Sequence, residues 1–178
     1  MKKFFIALMA VATLFAVSCD KENENNGNNG NNGNNGNDTS IDGRWDAPRF
    51  ADNPEDIAFV AIFAGDNLDL YVIPWGQHVV GKYTMTDGVI NYNITAGYNA
   101  YTDVQYDDDN NMIGWAWNAG NLDAATLTLT EGYDWYMMDE ESLNSAKQSF
   151  GTFEFKVNGT TATSTLVGIP DLVFHKVQ

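Results

Sequence analysis

The sequence predicts an all-β domain, an antiparallel up-and-down β-barrel of about eight strands, with a β-sandwich as the alternative way of burying the same faces. Three observations carry this. Apolar and polar residues alternate with period two along several short runs, residues that favour turns separate those runs, and only Asp139 to Lys147 has the charge pattern of a helix. Many short strands joined by tight turns suit a sandwich or a closed barrel, and the barrel also removes the exposed sheet edges.

The first 18 residues form an address rather than a fold. Lys2 and Lys3 precede an apolar run from Phe4 to Val17, and Ser18 and Cys19 follow it, the layout of an export signal. A transmembrane helix needs about 20 apolar residues, and the polar Asp20-Lys21-Glu22 arrives before that length is reached. Ala16-Val17-Ser18-Cys19 resembles the lipobox of bacterial lipoproteins. That resemblance implies cleavage after residue 18, lipidation of Cys19, and a membrane partner reached through the N-terminal lipid. The acidic Asp20 to Glu24 stretch is similar to the surface-export signal of Bacteroidetes lipoproteins, which implies an exported protein anchored to the outer membrane with its domain at the cell surface.

Residues 19–40 then read as a tether. Asn25-Asn26-Gly27 recurs in register through Gly36, with no apolar side chain to bury. From Asp20 to Ser40 such a chain would span about 70 Å fully extended and average about 25 Å as a flexible coil.

Residues 41–178 have the size of one domain and are enough to bury a core without disulfides, which a chain whose only cysteine is Cys19 cannot form internally. Taken in order, Val79, Tyr83 and Met85 share a face opposite His78, Lys82 and Thr84. Asp87-Gly88 supplies a hairpin turn, and Ile90, Tyr92 and Ile94 return with Asn91, Asn93 and Thr95 on the other side. Ile113, Trp115 and Trp117 alternate with Gly114, Ala116 and Asn118; Leu127 and Leu129 with Thr126, Thr128 and Thr130; Phe153, Phe155 and Val157 with Thr152, Glu154 and Lys156. Gly65-Asp66-Asn67, Asp107 to Asn111, Gly120-Asn121 and Asn158-Gly159 punctuate them. Eight to ten strands fit this pattern. The helical stretch begins with acids and ends near Lys147, matching the helix dipole over one or two turns.

Gly43-Arg44-Trp45 at the start, Gly81-Lys82-Tyr83-Thr84 in the middle and Asp171 to Lys176 at the end resemble the lipocalin-like domains of Bacteroidetes lipoproteins. The resemblance implies an eight-stranded calycin-like barrel whose cup takes a small apolar or amphipathic ligand, with Trp45 as a structural residue at its closed end.

The full chain carries 24 acidic and 9 basic side chains, a formal charge of −15. Removing Lys2 and Lys3 with the signal leaves 7 basic against 24 acidic, or −17. No basic stripe exists to displace the counterions of a polyanion, so nucleic acid is excluded as a partner. His78 and His175 are the only imidazoles, and no nucleophile elbow or metal-helix spacing accompanies them. Asp107, Asp109 and Asn111 have the opening spacing of a calcium loop, but Met112 stands where such a loop needs Gly and Asn118 where it needs Glu. The sequence therefore predicts no catalytic residue, metal site or cofactor.

The aromatic residues are what remain. Trp115 and Trp117 lie on one side of a strand, and with Tyr83, Met85 and Tyr92 they are the candidate ligand-binding set: inside a barrel they would line a cup, or else simply fill its core. Tyr98, Tyr101, Tyr106, Trp135 and Tyr136 fall near strand ends or loops, where exposed rings would suit the flat faces of sugars. Two readings follow, a non-catalytic binding module for a small apolar or amphipathic ligand, and a glycan-adhesion or scaffold lipoprotein that meets carbohydrate or an outer-membrane partner. They differ in where the rings lie.

Overall fold

The computed structural model describes residues 41–169 and 172–178. Among them are ten strands: β1 (Gly43–Phe50), β2 (Asn53–Ala64), β3 (Asn67–Val72), β4 (Gln77–Thr86), β5 (Val89–Tyr106), β6 (Met112–Ala116), β7 (Asp134–Met137), β8 (Thr152–Asn158), β9 (Thr161–Ser164) and β10 (Leu172–Lys176). One helix, α1 (Glu140–Phe150), precedes β8. All pairings are antiparallel. β1 to β5, then β8 to β10, follow one another around a ring that β10 closes by returning to β1. This is the eight-stranded barrel the alternation predicts, and continuous pairing around the ring leaves no division into two sheets of a sandwich.

The barrel is filled with aromatic rings. Phe155 is fully buried and lies 5.4 Å from Trp45, 5.2 Å from Phe63 and 5.3 Å from Phe174, ring centre to ring centre. Trp45, also fully buried, donates its indole N–H to the Ile41 carbonyl at 2.7 Å, and the Lys176 ammonium stands 5.4 Å above its ring. Burying that indole therefore leaves no polar atom unpaired.

A bulge shapes β5. Val80 pairs with Ala96 and Gly81 with Ile94, so Thr95 has no opposite number, and its hydroxyl donates to the Val80 carbonyl at 3.2 Å. Gly81 is required at this place, because a Cβ there would sit 2.1 Å from the Asn93 carbonyl oxygen. Inward-facing Ile90, Tyr92 and Ile94 give way, past the bulge, to Gly97, Asn99 and Tyr101 on the same face. Further along, β5 pairs with β7 from Tyr98 to Tyr101, where Tyr98 and Asn99 are still held by β4 on the other edge, and only then runs beyond the ring to pair with β6 from Thr102 to Tyr106.

The long connection between β5 and β8 also wraps the barrel's outside. Leu122, Leu127, Leu129 and Trp135 pack on Val60, Ile62, Tyr71 and Ile73, so β2 is buried on both faces. Arg44 fastens this wrap. Its guanidinium donates to both oxygens of Asp46, at 2.7 and 2.9 Å, and to the carbonyls of Ala124 and, at 2.7 Å, Ala125.

Two local expectations are corrected. Leu127 to Thr130 forms no strand, because Leu127 takes a left-handed φ of 56° at a tight tip. There the Asp123 carboxylate accepts from the backbone and hydroxyl of Thr126, and only a single bridge joins Leu122 to Leu129. The helix is longer than two turns, with 11 residues capped by Asp139, whose carboxylate accepts the Ser142 N–H at 2.7 Å. Its extension past Lys147 places Phe150 in the barrel core beside Ala146.

Candidate functional site

The five residues singled out for a cup do not gather in one place. Tyr92 is buried, and its hydroxyl lies 2.7 Å from the Leu68 carbonyl and 2.8 Å from that of Val79. Burial, with a smaller contribution from the Asp69 charge, drives the Tyr92 pKa far above the ordinary phenol range. Its polar end is thus spent on the backbone near the bulge. Tyr83, paired with Tyr92 across β4 and β5, stands edge-on to Phe63 at 5.1 Å, and Met85 follows on the same strand, 38% exposed. These three belong to the barrel.

Trp115 and Trp117 do not. Trp115 lies in β6, paired with β5 beyond the ring, and its ring centre is 5.6 Å from that of Tyr101. Tyr101 is nine residues past Tyr92, on the order of 25 Å along a strand. The expectation that Trp115 and Trp117 share a cup with Tyr83 and Tyr92 is corrected accordingly. Alternation did put Ile113, Trp115 and Trp117 on one face; that face is exposed, at 61%, 36% and 48%.

Together with Tyr136 these rings build a platform. Tyr136 pairs with Asn99 across β7 and β5, which points it to the same side as Tyr101, and the two ring centres are 6.2 Å apart with planes 34° from parallel. The planes of Tyr101 and Trp115 differ by 40°. Trp117, just past the end of β6, donates its indole N–H to the Trp75 carbonyl at 3.0 Å. Tyr101 is the middle ring. Burial raises its phenol pKa first and the Asp139 charge adds to it, while Asn99 opposes the shift by hydrogen bonding. At Tyr136 desolvation is again the main cause of a raised pKa, followed by Tyr106 and Asp134. The sequence named Tyr101 and Tyr136 as loop or strand-end rings; Trp75, in the turn after β3, carried no signal beyond its residue type.

The two histidines have different settings. His175 is exposed on the outer face of β10. His78 also points outward from β4, but the wrap covers it: its ring stacks on Tyr71 at 3.9 Å with planes 5° apart, and Tyr98 and Trp135 flank it at 5.8 Å each. Its Nε2 is buried without a hydrogen bond, 3.8 Å from the Asp69 carboxylate. Burial lowers the His78 pKa and outweighs the opposing pull of Asp69.

At the acidic tip, Asp107 accepts from the backbone N–H of Asp109 at 3.0 Å and of Asn111 at 2.7 Å, and from the Asn111 side chain. These bonds, led by those from Asn111, hold its carboxyl below the ordinary range. The carboxylate closes the turn. Among the described residues no group of three or more His, Cys, Asp or Glu side chains is placed to hold a metal ion. Cys19 and the Asn-Gly tether lie outside the described residues.

The chain matches no protein-family model, no curated protein and no solved structure.

Proposed function

We propose that this is a non-catalytic, lipid-anchored carbohydrate-binding lipoprotein, held by Cys19 on the outer membrane and presenting the Tyr101, Trp115 and Tyr136 platform to glycans at the cell surface. One observation carries the reading. Three aromatic rings sit side by side where β5 leaves the barrel and none belongs to its core, Trp115 being 36% exposed with Tyr101 and Tyr136 half-buried beside it, and apolar rings held at a surface in this way mark a binding face. Sugar rings have apolar C–H faces that cover aromatic rings and hydroxyl edges that stay in water, so an open, half-wet platform suits them better than it suits a lipid. A small apolar or amphipathic ligand inside the barrel has less support, since Trp45, Phe63, Phe155 and Phe174 meet ring to ring in the interior.

The test is a screen of residues 39–178 against neutral and charged oligosaccharides, followed by titration of any hit with tryptophan emission as the readout. Saturable binding by the wild-type domain, lost in the Trp115→Ala/Trp117→Ala variant while its circular dichroism is unchanged, is the expected result. Binding that survives both truncations in a folded variant would remove the platform from the site.

A further inference from the structure

The chemistry around the platform narrows the glycan, on the footing that the platform is the binding site. Between Lys82 and Lys147 the chain has eleven carboxylates, from Asp87 to Glu141, and not one Lys, Arg or His. β5, β6 and β7, which together build the platform, and the start of α1 all come from this stretch. Arg44 reaches it at Ala124 and Ala125 and through its charge at Asp123, all in the wrap rather than the platform, and is already paired with Asp46. Lys147 stands at the far end of α1 from Asp139, about 12 Å along the helix axis. The partial positive charge at the start of α1 is met by Asp139, Glu140 and Glu141, so it does not offset the field.

That field reaches the rings themselves. Asp139 acts on the Tyr101 phenol and Asp134 on that of Tyr136, in both cases disfavouring further negative charge. An anionic sugar, whether uronate, sialate or sulfate, would have to approach this surface with no cation on the strands that bear the rings to receive it. A protonated amine meets the opposite situation, with negative ring faces for a cation–π contact and the Asp134 carboxylate paired directly opposite Tyr101 across β7 and β5, on the same face as the rings.

We infer that the platform recognises amine-bearing glycans, chains of amino sugars whose nitrogen is free and protonated rather than acylated. The sugar faces lie on Tyr101, Trp115 and Tyr136, and the ammonium groups point towards Asp134 and Asp139.

The experiment compares three oligomers of equal length by tryptophan quenching and calorimetry: glucosamine, N-acetylglucosamine and galacturonate tetramers, each at about 20 mM and 500 mM salt. The free-amine tetramer is expected to bind roughly tenfold tighter than its N-acetylated counterpart at low salt, with the advantage collapsing at high salt, where the Debye length falls to a few ångströms. Asp134→Asn/Asp139→Asn should erase the preference, the free-amine tetramer falling to the affinity of its N-acetylated counterpart, with the helix start kept because Asn caps a helix about as well as Asp. Equal affinity for the amine and N-acetyl tetramers, or tighter binding of galacturonate, overturns this inference while leaving the platform reading in place, provided Trp115→Ala abolishes that binding. Binding of none of the three overturns the inference and the platform reading together.

Discussion

Phe155→Ala is the sharpest test of whether the barrel interior is packed or open. The ring is fully buried and touches three other rings at 5.2 to 5.4 Å. An aromatic side chain buries at least about 150 Å², which at about 25 cal/mol per Å² is a transfer loss of about 4 kcal/mol. Truncations of buried Phe cost about 3 to 5 kcal/mol by measurement, in line with that figure, against a total stability of about 5 to 15 kcal/mol. Urea unfolding followed by near-ultraviolet circular dichroism should show the midpoint falling by about 2 M, for a slope of about 2 kcal/mol per M. A loss below about 1 kcal/mol would refute the reasoning. It would mean that Phe155 stands in a loosely filled barrel, and the interior would regain its claim as a ligand site.

Three further outcomes follow from the same contacts. His78 has a folded-state pKa depressed below 6.5, so the unfolded chain binds the proton more readily and stability falls as pH drops from about 7 towards the folded pKa; melting temperatures between pH 7.5 and 5.5 should show this slope, and His78→Phe should flatten it. Arg44→Met removes the donors that pin Ala124 and Ala125 and should cost about 1 to 3 kcal/mol, with hydrogen exchange accelerated first between Leu122 and Thr130; uniform acceleration across the barrel would count against a separate wrap. If the lipid anchor is as proposed, Cys19→Ala moves the protein from the membrane to the soluble fraction, and persistence on membranes would require another anchor.

Alternation made the barrel legible because most of its strands are buried on one face only. Ile90, Tyr92 and Ile94, and Phe153 and Phe155, point inward as their spacing implies. It was silent on depth. Ile113, Trp115 and Trp117 have the same spacing as a core strand, and their exposure depends on β5, at 18 residues, outrunning β4, at 10, and not on any property of β6. A second signal lay in β2, where Ile57 to Ala64 is an unbroken apolar run of the kind that marks a strand buried on both faces. The cover that lies on it also buries His78, which the alternation of β4 alone places facing outward. Leu127 and Leu129 alternated for another reason: both reach down to that cover from a tight turn.

The central claim is that the exposed rings of the β5, β6 and β7 extension, rather than the barrel interior, bind the ligand. The measurement that tests it most directly is an oligosaccharide titration of wild-type, Trp115→Ala and Tyr83→Leu domains side by side, read by calorimetry. Saturable binding to wild type and to Tyr83→Leu, and none to Trp115→Ala, is expected. Binding lost in Tyr83→Leu and kept in Trp115→Ala, both folded, would place the ligand inside the barrel and contradict it.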